Sequence, residues 1–223
     1  MKKPRRDTQE TRRRLLEAAK KVFAEKGFWE ASNADICKRA KTNTAAVSYH
    51  FGGKENLYVE AWKYAFERSI ETHPADGGVP VGAPASERLR GRLVAFIHRI
   101  LDPDNDEVEI MHKEMANPTG LLTEAIRPTL EPMHEEIKKL IRELLGDEVS
   151  DLQTDLCEMS IISQCFGPIL RLRRDQKEPN TGVMRPFFKD ISVETFADHI
   201  MQFSLAGIRK IRQAAASKKR RSK

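Results

Sequence analysis

The chain has 223 residues, 39% hydrophobic and 32% charged, with a formal net charge of +6 and three cysteines. That balance describes a globular protein with room for a real core in one or two domains, not a disordered chain. It contains no apolar run near the ~20 residues of a membrane span and no signal-peptide core, and the odd cysteine count (Cys37, Cys157, Cys165) without a Cys-x-x-Cys spacing argues against a disulfide framework or zinc knuckle. Reduced thiols and a cytoplasmic location are expected. The charge is unevenly spread: residues 1–58 hold 14 Lys and Arg against 7 Asp and Glu, the last seven residues, SKKRRSK, add five positive charges, and 59–216 is net −6. A basic N-terminal segment suits phosphate binding, whereas an acidic middle repels a polyanion. The C-terminal run reads as a solvated tail.

In chain order, Met1–Arg6 (MKKPRR) reads as a mobile basic arm able to reach a minor groove, and Asp7 with Glu10 as a cap for the first helix. Thr11 to Phe28 then places Leu15, Ala18, Ala19, Val22 and Phe23 on one helical stripe. Asn33 to Phe51 (NADICKRAKTNTAAVSYHF) has the pattern of two short helices joined by a tight turn. Ile36 and Ala40 share one face of the first, and Val47 and Phe51 one face of the second, so that one small core holds both. The complementary face, Thr44 with Ser48 and Ala45 with Tyr49, is small and hydroxylic with one aromatic, a surface suited to a major groove. Asn43 is placed to cap this second helix. After Gly52-Gly53-Lys54, a fourth helix carries Leu57, Ala61, Tyr64, Ala65 and Ile70 at helical spacing.

His73 to Ser86, with three prolines and three glycines, is expected to be a mobile or disordered linker. A helix follows with Leu89, Leu93, Phe96, Ile97, Ile100 and Leu101 on one stripe, then a short one over about Glu107 to Met115. The next helix, ending at Leu145, carries Pro128 and Pro132, which predict a kink or restart near Arg127. Ser150 and Gln153 start a helix through Leu152, Leu156, Met159, Ile162, Phe166, Ile169 and Leu170, a loop is expected from Arg171 to Ile191, and Ser192 caps a last helix. That last helix carries Val193, Phe196, Ile200, Phe203, Gly207, Ile208 and Ile211. The apolar stripes of the last two helices, with small Ala206 and Gly207, serve either as ordinary core or as a four-helix interface with a second copy. Because one reading helix covers only a few base pairs, a two-fold dimer favours the interface. The whole predicts an all-α architecture of about nine helices.

The order helix, Gly27-Phe28, helix-turn-helix, Tyr49-His50-Phe51, then Lys54-Glu55-x-Leu57-Tyr58 resembles the DNA-binding domain of the TetR family of transcriptional regulators over roughly the first sixty residues. The resemblance implies a three-helix DNA-binding domain at 1–58, a helical ligand-binding and dimerisation domain at 59–216 and a basic tail at 217–223. It implies a homodimeric, ligand-responsive repressor that binds a palindromic double-stranded DNA operator and is released by a small-molecule effector. The family's DNA contacts fall on Asn33, Thr44, Ala45, Ala46, Ser48, Tyr49, His50 and Lys54. On that analogy Asn33, His50 and Lys54 hold phosphates and Thr44, Ser48 and Tyr49 face bases or sugars, while Ala45 and Ala46 offer only methyl contacts. For His50 a competing role is packing against the first helix. Where the family usually carries a turn glycine this chain has Lys41, which is expected to bend the turn differently, because a side chain costs about 1 kcal/mol in a left-handed backbone. More loosely, Glu114 to Pro118, Gln164-Cys165 and His199 to Gly207 resemble segments of a TetR subgroup.

Polar groups in otherwise apolar helices are the candidates for a small-molecule site: His98, His112, Met115, Gln164, Cys165 and Arg171, each of which also has an ordinary structural reading. His112 and Glu114 do not converge on one helix face, and no His-x-x-x-His pair joins them, so no metal is expected. Nor is a cofactor: the nearest glycine pair, Gly77-Gly78, has no preceding strand. No nucleophile with a base and no carboxylate pair in a recognisable setting points to an enzyme. The alternative to a ligand-responsive regulator is an architectural DNA-binding dimer of low specificity and no effector.

Overall fold

A computed structural model describes the backbone of residues 6–177 and 191–221, with side chains over 7–167 and 191–217. The described residues form nine α-helices and no strand: α1 (Arg6–Glu30), α2 (Asn33–Ala40), α3 (Ala45–Phe51), α4 (Lys54–Thr72), α5 (Ala85–Leu101), α6 (Asp106–Ala116), α7 (Thr123–Leu145), α8 (Asp151–Lys177) and α9 (Val193–Arg221). They divide into two compact units, Met1–Thr72 with Pro103–Thr129, and His73–Asp102 with Leu130–Lys223. Two short helices and one long one at the N-terminus agree with the periodicity, but the first unit also takes in α6 and the start of α7.

In the first unit α1 packs on α2, α3, α4 and α6. Its stripe is buried as the spacing predicts, Leu15, Ala18, Ala19, Val22 and Phe23 all lying in the core. Gly27, at φ 75° and ψ 179°, interrupts α1, and the left-handed φ is one that a β-carbon disfavours. Beyond it Phe28 turns onto Phe23 and Tyr58, whose ring centroids lie 6.4 and 5.1 Å away, while Phe23 and Tyr58 meet edge-on at 4.8 Å. The inward face of α4 is Leu57, Tyr58, Ala61, Trp62, Ala65 and Phe66. Of the residues that spacing places on its stripe, Ile70 and Tyr64 are only half-buried, because the helix is covered from two sides and its apolar face is broader than one row.

α6 is capped by Asn105, whose side chain accepts from the Glu107 amide at 3.0 Å. It brings acidic side chains to the bases of α1: Asp106 lies 3.2 Å from Lys21 and 3.7 Å from Lys20, and Glu107 accepts from Ser69. At its far end the buried Glu114 accepts from the Tyr58 hydroxyl (3.0 Å), the Thr119 amide and hydroxyl (3.0 and 2.9 Å) and the Gly120 amide (3.1 Å). Burial, and then the adjacent carboxylate, raise the Tyr58 phenol well above its ordinary range.

The second unit joins α5, α8, α9 and α7 from Leu130 onward around Leu89, Leu93, Ile97, Ile141, Leu145, Ile161, Cys165, Ala197 and Ile200. The glycine-rich segment before α5, expected to be mobile, instead forms hydrogen-bonded turns, with Gly77 donating to Pro74 and Gly78 to the Asp76 carboxylate. It lies so close to α5 that a β-carbon on Gly77 would sit 2.3 Å from the Gly91 carbonyl oxygen, and one on Gly91 would sit 2.4 Å from Val79. Two glycines far apart in the chain allow the close approach, whereas glycine content alone suggests only conformational freedom.

Four other expectations change. Asp7 lies inside the first turn of α1, its carbonyl accepting from Thr11, rather than capping it with Glu10, which pairs with Arg13 instead. α7 is one helix through both prolines, with no restart at Arg127. α8 continues to Lys177, so Arg171–Lys177 is helical and not loop; 178–190 lie outside the described residues, as do 1–5 of the basic arm. The backbone of α9 continues through Arg221, so that the basic tail from 217 begins as helix. Ser192, by contrast, caps α9 as predicted, accepting from the Thr195 amide at 3.1 Å.

Lys41 also departs from expectation. It does not bend the turn differently: it takes the left-handed conformation itself, at φ 53° and ψ 50°, and closes α2 by donating its amide to Cys37 and Lys38. The strain of about 1 kcal/mol is offset by Arg14, whose guanidinium donates to the carbonyls of Ala40 and Lys41. Arg14→Ala is therefore expected to lower stability by about 1–2 kcal/mol, and Lys41→Gly to raise it by up to about 1 kcal/mol. Urea denaturation of both variants checks the pair; a neutral Arg14→Ala would show that the turn holds without it.

Candidate nucleic-acid interface

The exposed part of the first unit that differs most from an ordinary helical surface is α3 with its two flanks. α2 is started by a reciprocal box that apolar periodicity does not reveal: the Asp35 amide donates to the Ser32 hydroxyl at 3.1 Å, and the Ser32 amide to the Asp35 carboxylate at 3.3 Å. Lys26 pairs with Asp35 at 2.9 Å, and that contact, then the serine, holds its carboxyl below the usual range. Asn33, the first residue of α2, is half-buried, and its Oδ1 is enclosed without a protein partner.

The turn delivers the chain to α3 through Asn43, whose side chain accepts from the Ala46 amide at 3.1 Å as the sequence suggests. α3 then buries Val47 and Phe51 and turns the opposite face to solvent. Thr44, Ala45 and Ser48 are exposed, Ala46 and His50 are half-buried, and Tyr49 is 76% exposed. The predicted facing of these residues therefore matches the geometry. Among the described residues the exposure of Tyr49 is exceeded by that of one other large hydrophobic side chain, Val81. Arg12 braces the helix from beneath, with its guanidinium 5.0 Å from the Phe51 centroid and 2.9 Å from Glu60. Burial, and then Arg12 nearby, lower the His50 pKa and so favour the neutral ring. It also meets the rings of Tyr49 at 4.9 Å and Phe51 at 6.2 Å, both on α3 itself.

Gly52, left-handed at φ 76°, ends α3, and Lys54 opens α4. Its ammonium sits 4.3 Å from the Phe28 centroid, a cation–π contact at the edge of the aromatic cluster that leaves the charge near the surface. Near the α2–α3 turn a shallow depression is lined by Arg13, Arg14, Glu17, Arg39 and Lys41, a basic rim absent from the sequence expectations. The Arg12-Arg13-Arg14 run on α1 was the available signal, but only the fold brings it beside Arg39 and Lys41.

The six small-molecule candidates do not share one cavity. His112 and Met115 are exposed in the first unit. In the second, His98 faces Glu194 at 3.5 Å, and Gln164 donates to the Ser160 carbonyl at 3.0 Å and reaches Ser204 at 3.4 Å. Cys165 is fully buried, its thiol pushed up to about 12 by burial, which makes it an inert packing group. The side chain of Arg171 lies outside the described residues. Among the described residues there is no cluster that would hold a metal ion and no helix long and apolar enough to cross a membrane.

A family model described as "Bacterial regulatory proteins, tetR family" matches residues 15–61. The C-terminal-domain model of the HTH-type transcriptional dual regulator CecR matches residues 85–208, more than half of the chain. Among curated relatives, the HTH-type transcriptional regulator UidR of Escherichia coli K12 is 26% identical over 168 residues, covering 72% of this chain and 81% of its own. The HTH-type transcriptional repressor NicS of Pseudomonas putida is 28% identical over 143 residues, 64% of this chain and 60% of NicS. A TetR-like regulator from Rhodococcus sp. RHA1 has the same fold, with a TM-score of 0.66 at 18% identity over 93% of this chain and 99% of that one. With the N-terminal model lying on the helix-turn-helix and the C-terminal model on the helices that follow, the chain belongs to the TetR family and is a helix-turn-helix transcriptional regulator.

Proposed function

We propose that this regulator is a cytoplasmic homodimeric repressor that binds a palindromic operator and is released by a small-molecule effector. The observation that carries the reading is the exposed face of α3, with Tyr49 open to solvent above a buried Val47 and Phe51. Thr44, Ser48 and Tyr49 face bases or sugars, Ala45 and Ala46 give methyl contacts, and Asn33, His50 and Lys54 set the register on phosphates. The name of NicS as a repressor supports the sign of regulation.

Dimerisation runs through α8 and α9. On α8 Thr154, Cys157, Glu158, Ile161 and Cys165 are buried, whereas Leu152, Leu156 and Met159 are exposed. On α9 Phe203 is 68% exposed, one turn before the small, exposed Gly207. A groove between the two helices runs from Gln153 and Leu156 to Phe203, Gly207 and Ile211. Apolar side chains and small residues on two adjacent helices form a self-complementary surface suited to a two-fold four-helix contact. The effector signal passes through α4, because a small change in its tilt alters the separation of the two reading helices, and half-sites ~34–36 Å apart tolerate little error.

Selection of bound fragments from the source genome is the decisive experiment: a shared palindrome supports an operator, and recovery of random fragments leaves a low-specificity binder. On the selected sequence Tyr49→Ala is expected to weaken binding by about tenfold or more, the loss of ~1.4 kcal/mol, without lowering the melting transition as Phe51→Ala does. Lys54→Ala should weaken operator and random DNA by similar factors and lower the slope of log affinity against log salt by about 0.9, the value of one phosphate contact. An unchanged slope would confine Lys54 to its contact with Phe28. For the dimer, Phe203→Glu and Leu156→Glu are each expected to give a folded monomer in sedimentation and to abolish tight operator binding; retention of a dimer by both would place the interface elsewhere.

A further inference from the structure

Within the second unit a cavity of about 100 Å³ lies among α5, α7, α8 and the turns before α5. Most of its wall is aliphatic or aromatic, with Phe96 and Phe166 forming one side at a ring distance of 6.0 Å. Its polar lining is all basic: His73, Arg92, Arg99 and His134, with no carboxylate among the lining residues. No local pattern marks these four, which the chain delivers from three places: the turns before α5, α5 itself and α7.

The charges around these groups bear on what the cavity accepts. His134 pairs with Glu158 at 2.6 Å and His73 with Asp102 at 3.1 Å, through carboxylates that do not line the cavity. Lys138 reaches the other Glu158 oxygen at 3.9 Å. Arg92 is held loosely, 3.6 Å from the half-exposed Glu136 and 3.5 Å from the Ala75 carbonyl. The Arg99 guanidinium, in a buried residue, stands 5.6 Å from the Phe96 centroid. The long contacts of Arg92 leave its fork able to take a carboxylate in two parallel hydrogen bonds, which a neutral amide or a cation cannot reproduce. An apolar chamber with a few convergent donors is the general form of a small-ligand site.

We infer that this cavity binds a small aromatic monocarboxylate, its ring against Phe96 and Phe166 and its carboxylate on Arg92; as the effector site, the assignment rests on the ligand-responsive reading above. The size restricts the occupant to about a single ring with short substituents, since larger bodies require the walls to part.

The test uses the full-length protein free of DNA, titrated calorimetrically with benzoate, 4-hydroxybenzoate and phenylacetate, and with benzamide and benzylamine as neutral and cationic counterparts. At least one carboxylate is expected to bind about tenfold or more tighter than benzamide, with benzylamine not binding. Arg92→Gln should remove that preference, and Ala95→Leu, which fills the cavity without touching a charge, should block binding. Circular dichroism and operator binding establish that both variants are folded. Equal binding of benzoate and benzamide, binding undiminished in both variants, or no binding by any carboxylate would each overturn the assignment. Operator release is measured separately: carboxylate binding that leaves operator affinity unchanged keeps the site and counts against the effector reading alone.

Discussion

The buried carboxylate of Glu114 is the constraint on which the first unit turns. An acid removed from water is tolerated only when its oxygens are occupied, and here the occupants come from two directions. Thr119 and Gly120 fold back over the end of α6, while Tyr58 reaches from α4. Placing Tyr58 places the ring that Phe23 and Phe28 pack against, and Phe28 in turn lies beneath the ammonium of Lys54. The first residue of α4 is thus tied through aromatic contacts to a hydrogen-bond set at the far end of α6. The acidic start of α6, against Lys20 and Lys21, adds a second attachment to α1.

α3 is too short to hold itself, since seven residues form fewer than two full turns and isolated helices of that length are unstable in water. Its order comes from burial of Val47 and Phe51, from the Asn43 cap and from the left-handed turn at Lys41 that Arg14 secures. This separates two demands on one helix. The inward side chains and the caps supply stability, which frees Thr44, Ser48 and Tyr49 to be chosen for an outward surface.

A similar division operates in α8. Its core-facing side chains, Thr154, Cys157, Glu158, Ile161 and Cys165, are only partly apolar, whereas the apolar Leu152, Leu156 and Met159 face outward. A helix with apolar residues on more than one side shows a weak periodic signal, and from sequence the larger residues look like the core row. Of the two readings the residues allow for this stripe, core or contact with a second copy, the exposure of Leu152, Leu156 and Met159 supports the second for its first half, whereas Ile162 and Phe166 are half-buried and line the cavity of the same unit. The cavity lined by Arg92 and His134 follows from the same unit, where α5, α7 and α8 enclose more space than their side chains fill.

Much of the molecule was legible in the residues because local rules act over a few positions. The periodicity of Leu15 to Phe23, the caps at Asn43 and Ser192, and the facing of Val47 and Phe51 against Ala45 and Tyr49 depend only on helix geometry and side-chain type. So does the all-helical class, while the motif around Tyr49-His50-Phe51 carried the family by resemblance. What the sequence could not decide were contacts made by residues far apart in the chain. That Glu114 accepts from Tyr58, that Arg14 steadies Lys41, that Gly77 and Gly91 let a turn segment close onto α5, and that four basic side chains line one cavity are each consequences of packing. Local propensity is additive along the chain, but burial and partner choice are set by what arrives from elsewhere. Tertiary structure alone therefore placed Leu152, Leu156 and Met159 of α8 at the surface and Thr154, Cys157, Glu158, Ile161 and Cys165 in the core.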